Sequence, residues 1–167
     1  MINLTLRYTG IFILLILLQI LLFNNIMFSG YVNPYVYILI IMVLPVEIPS
    51  WLLLIISFAT GLVVDIFSGT IGMHTASTVL AGFSRPYVLR IIAPRDGYDS
   101  GDAPSMGLYG AWWFFVYTLI MVLIHHLSLF YLEVFSFTDF FRTMLRVILS
   151  SCFTILFILL LEYYRKR

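Results

Sequence analysis

The sequence predicts an all-α fold, a polytopic bundle of about six membrane-crossing helices that forms one integral membrane domain over residues 1–167. Hydrophobic residues make up 62% of the chain and charged residues 10%, against roughly 25% charged in an ordinary soluble domain. Three long intervals contain no Asp, Glu, Lys or Arg: 8–46, 66–84 and 103–132. Because a helix needs about 20 apolar residues to cross a bilayer, these intervals leave room for several crossings but not for a separate soluble domain.

Composition also limits the classes of function. The net charge of +1 and the scattered basic residues provide no basic patch, so the expected surroundings are the lipid bilayer and no nucleic acid is expected as a partner. The single cysteine, Cys152, cannot form an internal disulfide, and its apolar neighbours predict a small buried side chain.

The first two apolar segments differ in length. Residues 10–28 are long enough to cross a membrane, and they predict a helix rather than a signal peptide because no A-x-A-like site follows them. Pro34 can open the second segment, since a proline in the first helical turn loses no intrahelical hydrogen bond. The run 35–44 spans only about 15 Å as a helix. It predicts either a kinked crossing that continues past Pro45 or one arm of a re-entrant hairpin, and the sequence leaves both open.

The stretch 45–72 is the one around which the predicted bundle is organised. Ser57, Gly61 and Asp65 recur every four residues and therefore share one face of a predicted third helix over 51–66. Small residues on one face let a second helix approach closely, and a carboxylate there needs a partner inside the protein. Two interpretations stay open: a packing face with one acid near the membrane interface, and a gate or binding site.

The fourth predicted helix follows a tight link. Gly69 and Gly72 bracket this link, and the helix over 73–92 is rich in small residues in its first half, so the third and fourth helices are predicted to pack closely. Pro86 is expected to kink the fourth helix. Arg85 and Arg90 are expected to mark its approach to the aqueous edge of the membrane.

A loop and two further helices complete the prediction. Residues 93–105 hold four charged residues with two glycines and two prolines, which is typical of a solvated loop. The aspartates of this loop lack the residue order of a calcium-binding loop. A fifth helix is predicted over 107–130. A sixth is predicted to follow the connection 133–138 and to end near residue 164.

The histidines favour hydrogen bonding over metal binding. His125 and His126 are adjacent, and neighbours on a helix point about 100° apart, so they are a poor pair of ligands for one ion. They predict a buried hydrogen-bonding pair, and His74 is interpreted in the same way. The sequence has no nucleophile paired with a base, no phosphate-binding loop and no metal-ligand spacing, so it predicts no enzyme, no metal and no cofactor.

The basic residues predict an orientation in the inner (cytoplasmic) membrane. With six crossings, one side of the membrane collects seven basic residues: Arg7, Arg85, Arg90, Arg95, Arg165, Lys166 and Arg167. The other side collects only Arg142 and Arg146. Because cytoplasmic loops carry an excess of Lys and Arg, the multi-pass chain is predicted to have both termini in the cytoplasm.

One stretch of the chain resembles a known family. An Asn-Pro pair opens an apolar run, a G-L-x-x-D-x-x-x-G-x-x-G core follows it, and a histidine comes two residues later. The residues in question are Asn33, Pro34, Gly61, Leu62, Asp65, Gly69, Gly72 and His74. With the size of 19.3 kDa and the near-absence of loops, this pattern resembles MreD, the rod shape-determining membrane protein, in the form found in the Bacteroidetes group of bacteria.

The resemblance implies a fold and a role. The implied fold is similar to the substrate-binding subunits of energy-coupling-factor vitamin transporters. The implied role is a non-enzymatic scaffold or adaptor of the cell-elongation complex, which maintains cell shape and directs lateral peptidoglycan synthesis. The implied partners are MreC, RodA, a class B penicillin-binding protein and the MreB filament, and a homodimer is also open. The candidate helix-packing or partner face consists of Ser57, Gly61, Asp65, Gly69, Gly72 and His74.

A second class of function stays open beside the scaffold, namely a small-solute binding subunit of a transporter. Glu47, Asp65, His74 and the pair His125–His126 are the polar residues that could converge on a cavity. Such a subunit needs a pocket that solvent can reach and a partner that supplies energy.

Overall fold

The computed structural model describes residues 2–25, 32–135 and 139–166, without the side chains of 2–5, 7, 25 and 166. All regular elements in these ranges are helical. The α-helices are α1 (Ile2–Leu21), α2 (Leu39–Met42), α3 (Ser50–Ser68), α4 (Met73–Ile91), α5 (Met106–Tyr109), α6 (Ala111–Val134) and α7 (Phe140–Lys166). Short 3-10 turns occupy Phe23–Asn25 and Val36–Ile38.

Three of the described helices are long and apolar enough to cross a membrane. They are α3, α6 and α7, and α1 contributes a shorter apolar part over residues 8–21. The outward faces of these helices carry large apolar side chains, as expected for surfaces that meet lipid. The prediction of an all-α membrane bundle is confirmed at this level, and the number of six crossings stays a prediction.

The first helix lies earlier in the chain than predicted. It covers Ile2–Leu21 rather than 10–28. No proline precedes the apolar run to stop the helix from starting near the N-terminus. Beyond Leu21 the chain turns, because the Asn24 side chain bonds Gln19 Nε2 at 2.9 Å and Ser68 Oγ at 3.1 Å instead of facing lipid.

The second segment forms the centre of the bundle. It contains only the 3-10 turn Val36–Ile38 and the four residues of α2, and every residue from 36 to 44 is buried. Side chains from α1, α3, α4, α6 and α7 join it in one apolar core. The segment starts beside Ser150, which binds the backbone N–H of Asn33, and ends where Val46 N–H donates to Asp102 O. It therefore runs from one end of the bundle towards the other.

Gln19 satisfies the backbone at the start of this central segment. Its Oε1 accepts from the N–H groups of Val36 at 2.9 Å and Tyr37 at 3.4 Å, and its Nε2 donates to Pro34 O at 3.1 Å. The first N–H groups of a helix have no partner within the helix, and water cannot supply one inside a bundle. A fully buried glutamine from α1 fills that need.

Arg85 satisfies the backbone at the other end. Its guanidinium donates to the carbonyl oxygens of Met42, Leu44 and Pro45 and to the hydroxyl of Tyr117. The prediction that Arg85 marks the aqueous edge is wrong, because its side chain is only 1% exposed. Carbonyl oxygens at a helix C-terminus carry partial negative charge, which favours a cation at this place.

The α3–α4 hairpin contains a close helix contact. A Cβ added at Gly61 would lie 2.5 Å from Thr75 Cα and 2.7 Å from His74 O, so only glycine allows this approach. The turn between the helices also needs glycine, since Gly69 and Gly72 have φ of 68° and 77°. The third and fourth helices therefore pack closely, as predicted, and α4 continues through Pro86 to Ile91.

The bundle has two ends, which we name by what lies there. The cavity end contains Asn24, Asn33, Ser68, the 69–72 turn and Glu133, all of which line or border one cavity. The loop end contains the start of α3, the loop 92–105 and the C-terminal part of α7. At the loop end Glu162 accepts from Met106 N–H at 3.1 Å and is paired with Arg165 at 2.7 Å.

The loop end differs from the prediction in detail. The predicted helix over 107–130 is divided at Gly110, whose φ of 88° ends α5 before α6 begins. The loop 93–105 is mostly exposed, as predicted. Within it, the Tyr98 hydroxyl donates to Leu89 O at 2.7 Å. The pKa of Tyr98 is raised to about 12, mainly by burial and to a smaller extent by Tyr117.

Cys152 is exposed on α7 rather than buried, because it lies on the outward side of the helix.

Candidate functional site: a cavity above a buried histidine network

A cavity of about 400 Å³ opens at the cavity end of the bundle. Its polar wall comes from five different parts of the chain, and Phe23 and Phe67 add apolar surface. The polar residues that line it are Asn24, Asn33, Tyr35, Ser68, Thr70, His74 and Glu133. The volume is within the range of roughly 300–1,000 Å³ that is usual for small-molecule sites.

Asp65 fixes the floor of this cavity by capping α4. Its carboxylate accepts from the backbone N–H groups of His74 at 3.1 Å and Thr75 at 2.9 Å. It also accepts from the hydroxyls of Thr70 at 2.7 Å and Thr75 at 2.6 Å. The start of α4 has no cap from its own Gly72, so a carboxylate from α3 supplies both the acceptors and the negative charge that a helix N-terminus favours.

Tyr37 lies at the centre of a network beneath the cavity. Its hydroxyl is 3.0 Å from His74 Nδ1, 2.6 Å from His125 Nε2 and 3.3 Å from Thr78 Oγ1. Tyr37 and His125 are fully buried, and His74 is 3% exposed. The network therefore ties the central segment to α4 and α6 with hydrogen bonds that are shielded from water.

His126 extends the same network to α7. Its Nδ1 is 3.0 Å from Val122 O, and its Nε2 is 3.1 Å from Thr154 Oγ1, which in turn accepts from Tyr35 N–H at 3.0 Å. The prediction of a buried, hydrogen-bonding pair at His125 and His126 is confirmed by these contacts. The ring of Tyr35 packs against both histidines and His74, at centroid distances between 5.0 and 6.2 Å.

An ion pair closes the rim of the cavity. Glu133 accepts from Arg146 Nη2 at 3.1 Å through both carboxylate oxygens. The Arg146 guanidinium also lies 4.7 Å from the centroid of the Phe130 ring. A second cavity of about 420 Å³ adjoins this rim and is lined in part by Arg142 and Arg146.

The six residues of the predicted face fall into three places. Ser57, Gly61 and Asp65 lie in the α3–α4 contact, where Ser57 faces Gly82 and all three are buried. Gly69 and Gly72 form the exposed turn, and His74 lines the cavity. The face therefore packs inside the chain for the most part, and its role towards a partner stays a prediction.

The polar residues expected to converge on a cavity do so only in part. His74 lines the cavity, and the pair His125–His126 lies beneath it. Asp65 is engaged by α4. Glu47 does not belong to the site: it lies at the loop end and accepts from Ser100 Oγ at 3.0 Å. Over residues 2–25, 32–135 and 139–166, no three His, Cys, Asp or Glu side chains are grouped as metal ligands.

Several buried polar contacts, two near the site and one at the loop end, were not predicted from the sequence. Gln19, Tyr37 and Arg85 are polar or amphipathic side chains in apolar surroundings, and each one bonds a segment distant in sequence. A usable signal existed, since polar side chains inside membrane segments usually have partners within the protein. What the sequence lacked was the identity of those partners.

The fold and the site define an α-helical integral membrane protein with a polar cavity at one end and a hydrogen-bonded histidine network beneath it. Searches of protein-family models, of curated proteins and of solved structures find no match to this chain.

Proposed function

We propose that the chain is a non-enzymatic membrane scaffold of the MreD type, an adaptor of the cell-elongation complex that helps to maintain cell shape and to direct lateral peptidoglycan synthesis. The proposal is supported by the positions in the fold of the residues on which the resemblance to MreD depends. Gly61 permits a close contact of α3 with α4, Asp65 caps α4, and Gly69 and Gly72 form the turn. The pattern thus corresponds to one closely packed hairpin, which suits a protein that positions others.

The orientation is part of the same proposal. The start of α1 packs near the loop end, where Tyr8 contacts the Ile41–Leu44 cluster, and Arg165 binds Pro104 O there. Arg142 and Arg146 lie at the cavity end. Successive long elements then alternate in direction and make six passes in the inner membrane, with both termini on the more basic, cytoplasmic side.

A tagged pull-down from native membranes in mild detergent tests the scaffold role, with bound proteins identified by mass spectrometry. Recovery of MreC, RodA and a class B penicillin-binding protein is the expected result. Gly61→Leu is unsuitable as a probe of partner binding, because its side chain would collide with the backbone of α4. Leu62→Trp is better, since Leu62 is exposed on the outer face of α3.

The matched control for this experiment is Leu145→Trp on α7, which is exposed to a similar degree. We expect Leu62→Trp to reduce the recovery of MreC and Leu145→Trp to leave it unchanged. Equal recovery in both variants would remove the α3–α4 hairpin as the partner surface. Recovery of ATPase subunits in place of wall-synthesis proteins would overturn the scaffold proposal.

A second candidate function is that of a small-solute binding subunit of a transporter. The cavity of about 400 Å³ favours it, because seven polar side chains line or border a space large enough for a small molecule. This function also requires an energy-supplying partner, so ATPase subunits are the expected recovery in the same pull-down.

A further inference from the structure

The hydrogen-bond network beneath the cavity determines which nitrogen of each histidine carries its proton. The tautomer of His126 follows from its contact with Val122. Its Nδ1 lies 3.0 Å from Val122 O, and a carbonyl oxygen only accepts, so Nδ1 carries the hydrogen. A neutral ring then has a bare Nε2, which accepts from the Thr154 hydroxyl at 3.1 Å.

His125 is fixed by its neighbour. Its Nδ1 lies 3.4 Å from His126 Nδ1, which carries a hydrogen, and two N–H groups do not face one another, so Nδ1 of His125 is the bare nitrogen. Nε2 of His125 therefore carries the hydrogen and donates to the Tyr37 hydroxyl at 2.6 Å. The Tyr37 hydroxyl must direct its own hydrogen elsewhere.

The nearest acceptor for that hydrogen is His74. Nδ1 of His74 is 3.0 Å from the Tyr37 oxygen, closer than Thr78 Oγ1 at 3.3 Å. His74 thus accepts at Nδ1 and carries its hydrogen on Nε2. His74 lines the cavity, and no described residue accepts a hydrogen bond from this Nε2.

Two more donors lie on the same wall. Ser68 Oγ accepts from Asn24 Nδ2 at 3.1 Å, which leaves the Ser68 hydrogen without an acceptor among the described residues. Asn24 Nδ2 has a second hydrogen. The one carboxylate at the rim, that of Glu133, is already engaged by Arg146. Two donors on this wall, His74 Nε2–H and the Ser68 hydroxyl, therefore have no acceptor among the described residues.

We propose that the cavity binds a small solute through carbonyl or carboxylate oxygens, with His74 Nε2–H and the Ser68 hydroxyl as the donors that select it. A donor without a protein acceptor can bond an acceptor oxygen on a solute, and a site built from such donors discriminates against solutes that lack that oxygen. The biological role of this binding rests on the second candidate function, that of a transporter subunit. The binding itself concerns the cavity alone.

Two measurements on the purified full chain test the proposal. The first is the ¹⁵N NMR spectrum of histidine-labelled protein, which contains only three histidines. We expect His126 as the Nδ1–H tautomer and His74 as the Nε2–H tautomer. A His74 that carries its hydrogen on Nδ1 would overturn the proposal, because the donor would then face Tyr37.

The second measurement is the shift in unfolding temperature with three probes of similar size: benzamide, benzoate and benzylamine. Benzamide or benzoate is expected to stabilise the protein. Benzylamine offers no acceptor oxygen and is not expected to stabilise it. A larger shift with benzamide would indicate a neutral carbonyl ligand, and a larger shift with benzoate would indicate a carboxylate. Ser68→Ala should reduce the shift severalfold, and Ser128→Ala, whose hydroxyl binds Ile124 O outside the cavity, should not.

Three results would contradict the proposal: no shift with either oxygen-bearing probe, an equal shift with benzylamine, or an unchanged shift in Ser68→Ala. These results are independent of the pull-down. A chain that binds the probes but recovers wall-synthesis proteins would keep the binding site and lose the transporter role.

Discussion

At the scale of single residues, Asp65 illustrates why an acid is retained in an apolar helix. Its two carboxylate oxygens accept four hydrogen bonds from Thr70, His74 and Thr75. All four donors come from the turn and the first residues of α4. A carboxylate has only acceptors, so it fits this ring of donors better than any amide or hydroxyl.

Asp65→Asn tests this interpretation. The amide group would turn one acceptor into a donor that faces other donors, so we expect a loss of about 1–3 kcal/mol in the free energy of unfolding. The measurement is unfolding of the purified protein in mild detergent, followed by tryptophan fluorescence. Asp96→Asn in the exposed loop is the control and should unfold like the parent protein. Equal stability of both variants would mean that the cap contributes little.

At the scale of elements, glycine decides how closely α3 and α4 approach. A methyl group at Gly61 would meet the Cα of Thr75 at 2.5 Å, and the backbone of a helix cannot yield as a side chain can. The resulting strain is borne by the whole hairpin, including the cap at Asp65 and the cavity wall at His74.

Gly61→Ala is therefore expected to destabilise the protein by about 1–3 kcal/mol. The matched control is Gly10→Ala on α1, where an added Cβ meets nothing within 4 Å. That control should be neutral or stabilising by up to about 1 kcal/mol, since alanine has the higher helix propensity. Comparison of the two unfolding midpoints in the same detergent checks the prediction. A Gly61→Ala protein as stable as Gly10→Ala would contradict the close packing.

The start of the central segment depends on the side chain of Gln19 from α1. Gln19→Met keeps the length of the side chain but leaves Val36 N–H and Pro34 O without partners in a region that excludes water. Each such group costs about 1–3 kcal/mol, so we expect the unfolding free energy to fall by at least about 2 kcal/mol.

Leu17→Met, on the exposed side of the same helix, is the control for Gln19→Met and should have little effect. The unfolding midpoints of both variants are compared with that of the parent. If Gln19→Met unfolds like Leu17→Met, another group must satisfy the start of the central segment.

At the scale of the whole molecule, the proposal of six passes gives a testable topology. Cys152 is the only cysteine, so Cys152→Ser provides a background for single cysteines at Ile71, in the exposed α3–α4 turn, and at Asp96, in the loop. In intact cells a membrane-impermeant maleimide should label Ile71→Cys and leave Asp96→Cys unlabelled. The reverse pattern would invert the orientation. Labelling of both would place them on the same side, which requires an even number of passes between them.

Much of the helical pattern was predictable because it depends on local composition. The α3–α4 hairpin was predicted from small residues at intervals of four and from glycines at the turn, which are local signals. The first helix was placed too late, and the predicted helix over 107–130 missed the division at Gly110. Such boundaries depend on individual contacts, such as those of Asn24, which local composition does not contain.

The class of protein, the helical character and the close pairing of α3 with α4 could be predicted, because apolar length and the spacing of small residues are properties of the chain alone. The position of residues 36–44 in the core, the burial of Arg85 and the link that Tyr37 forms between His74 and His125 are seen only in the folded chain. A buried polar group must find a partner, and that partner can come from any part of the chain that the fold brings near.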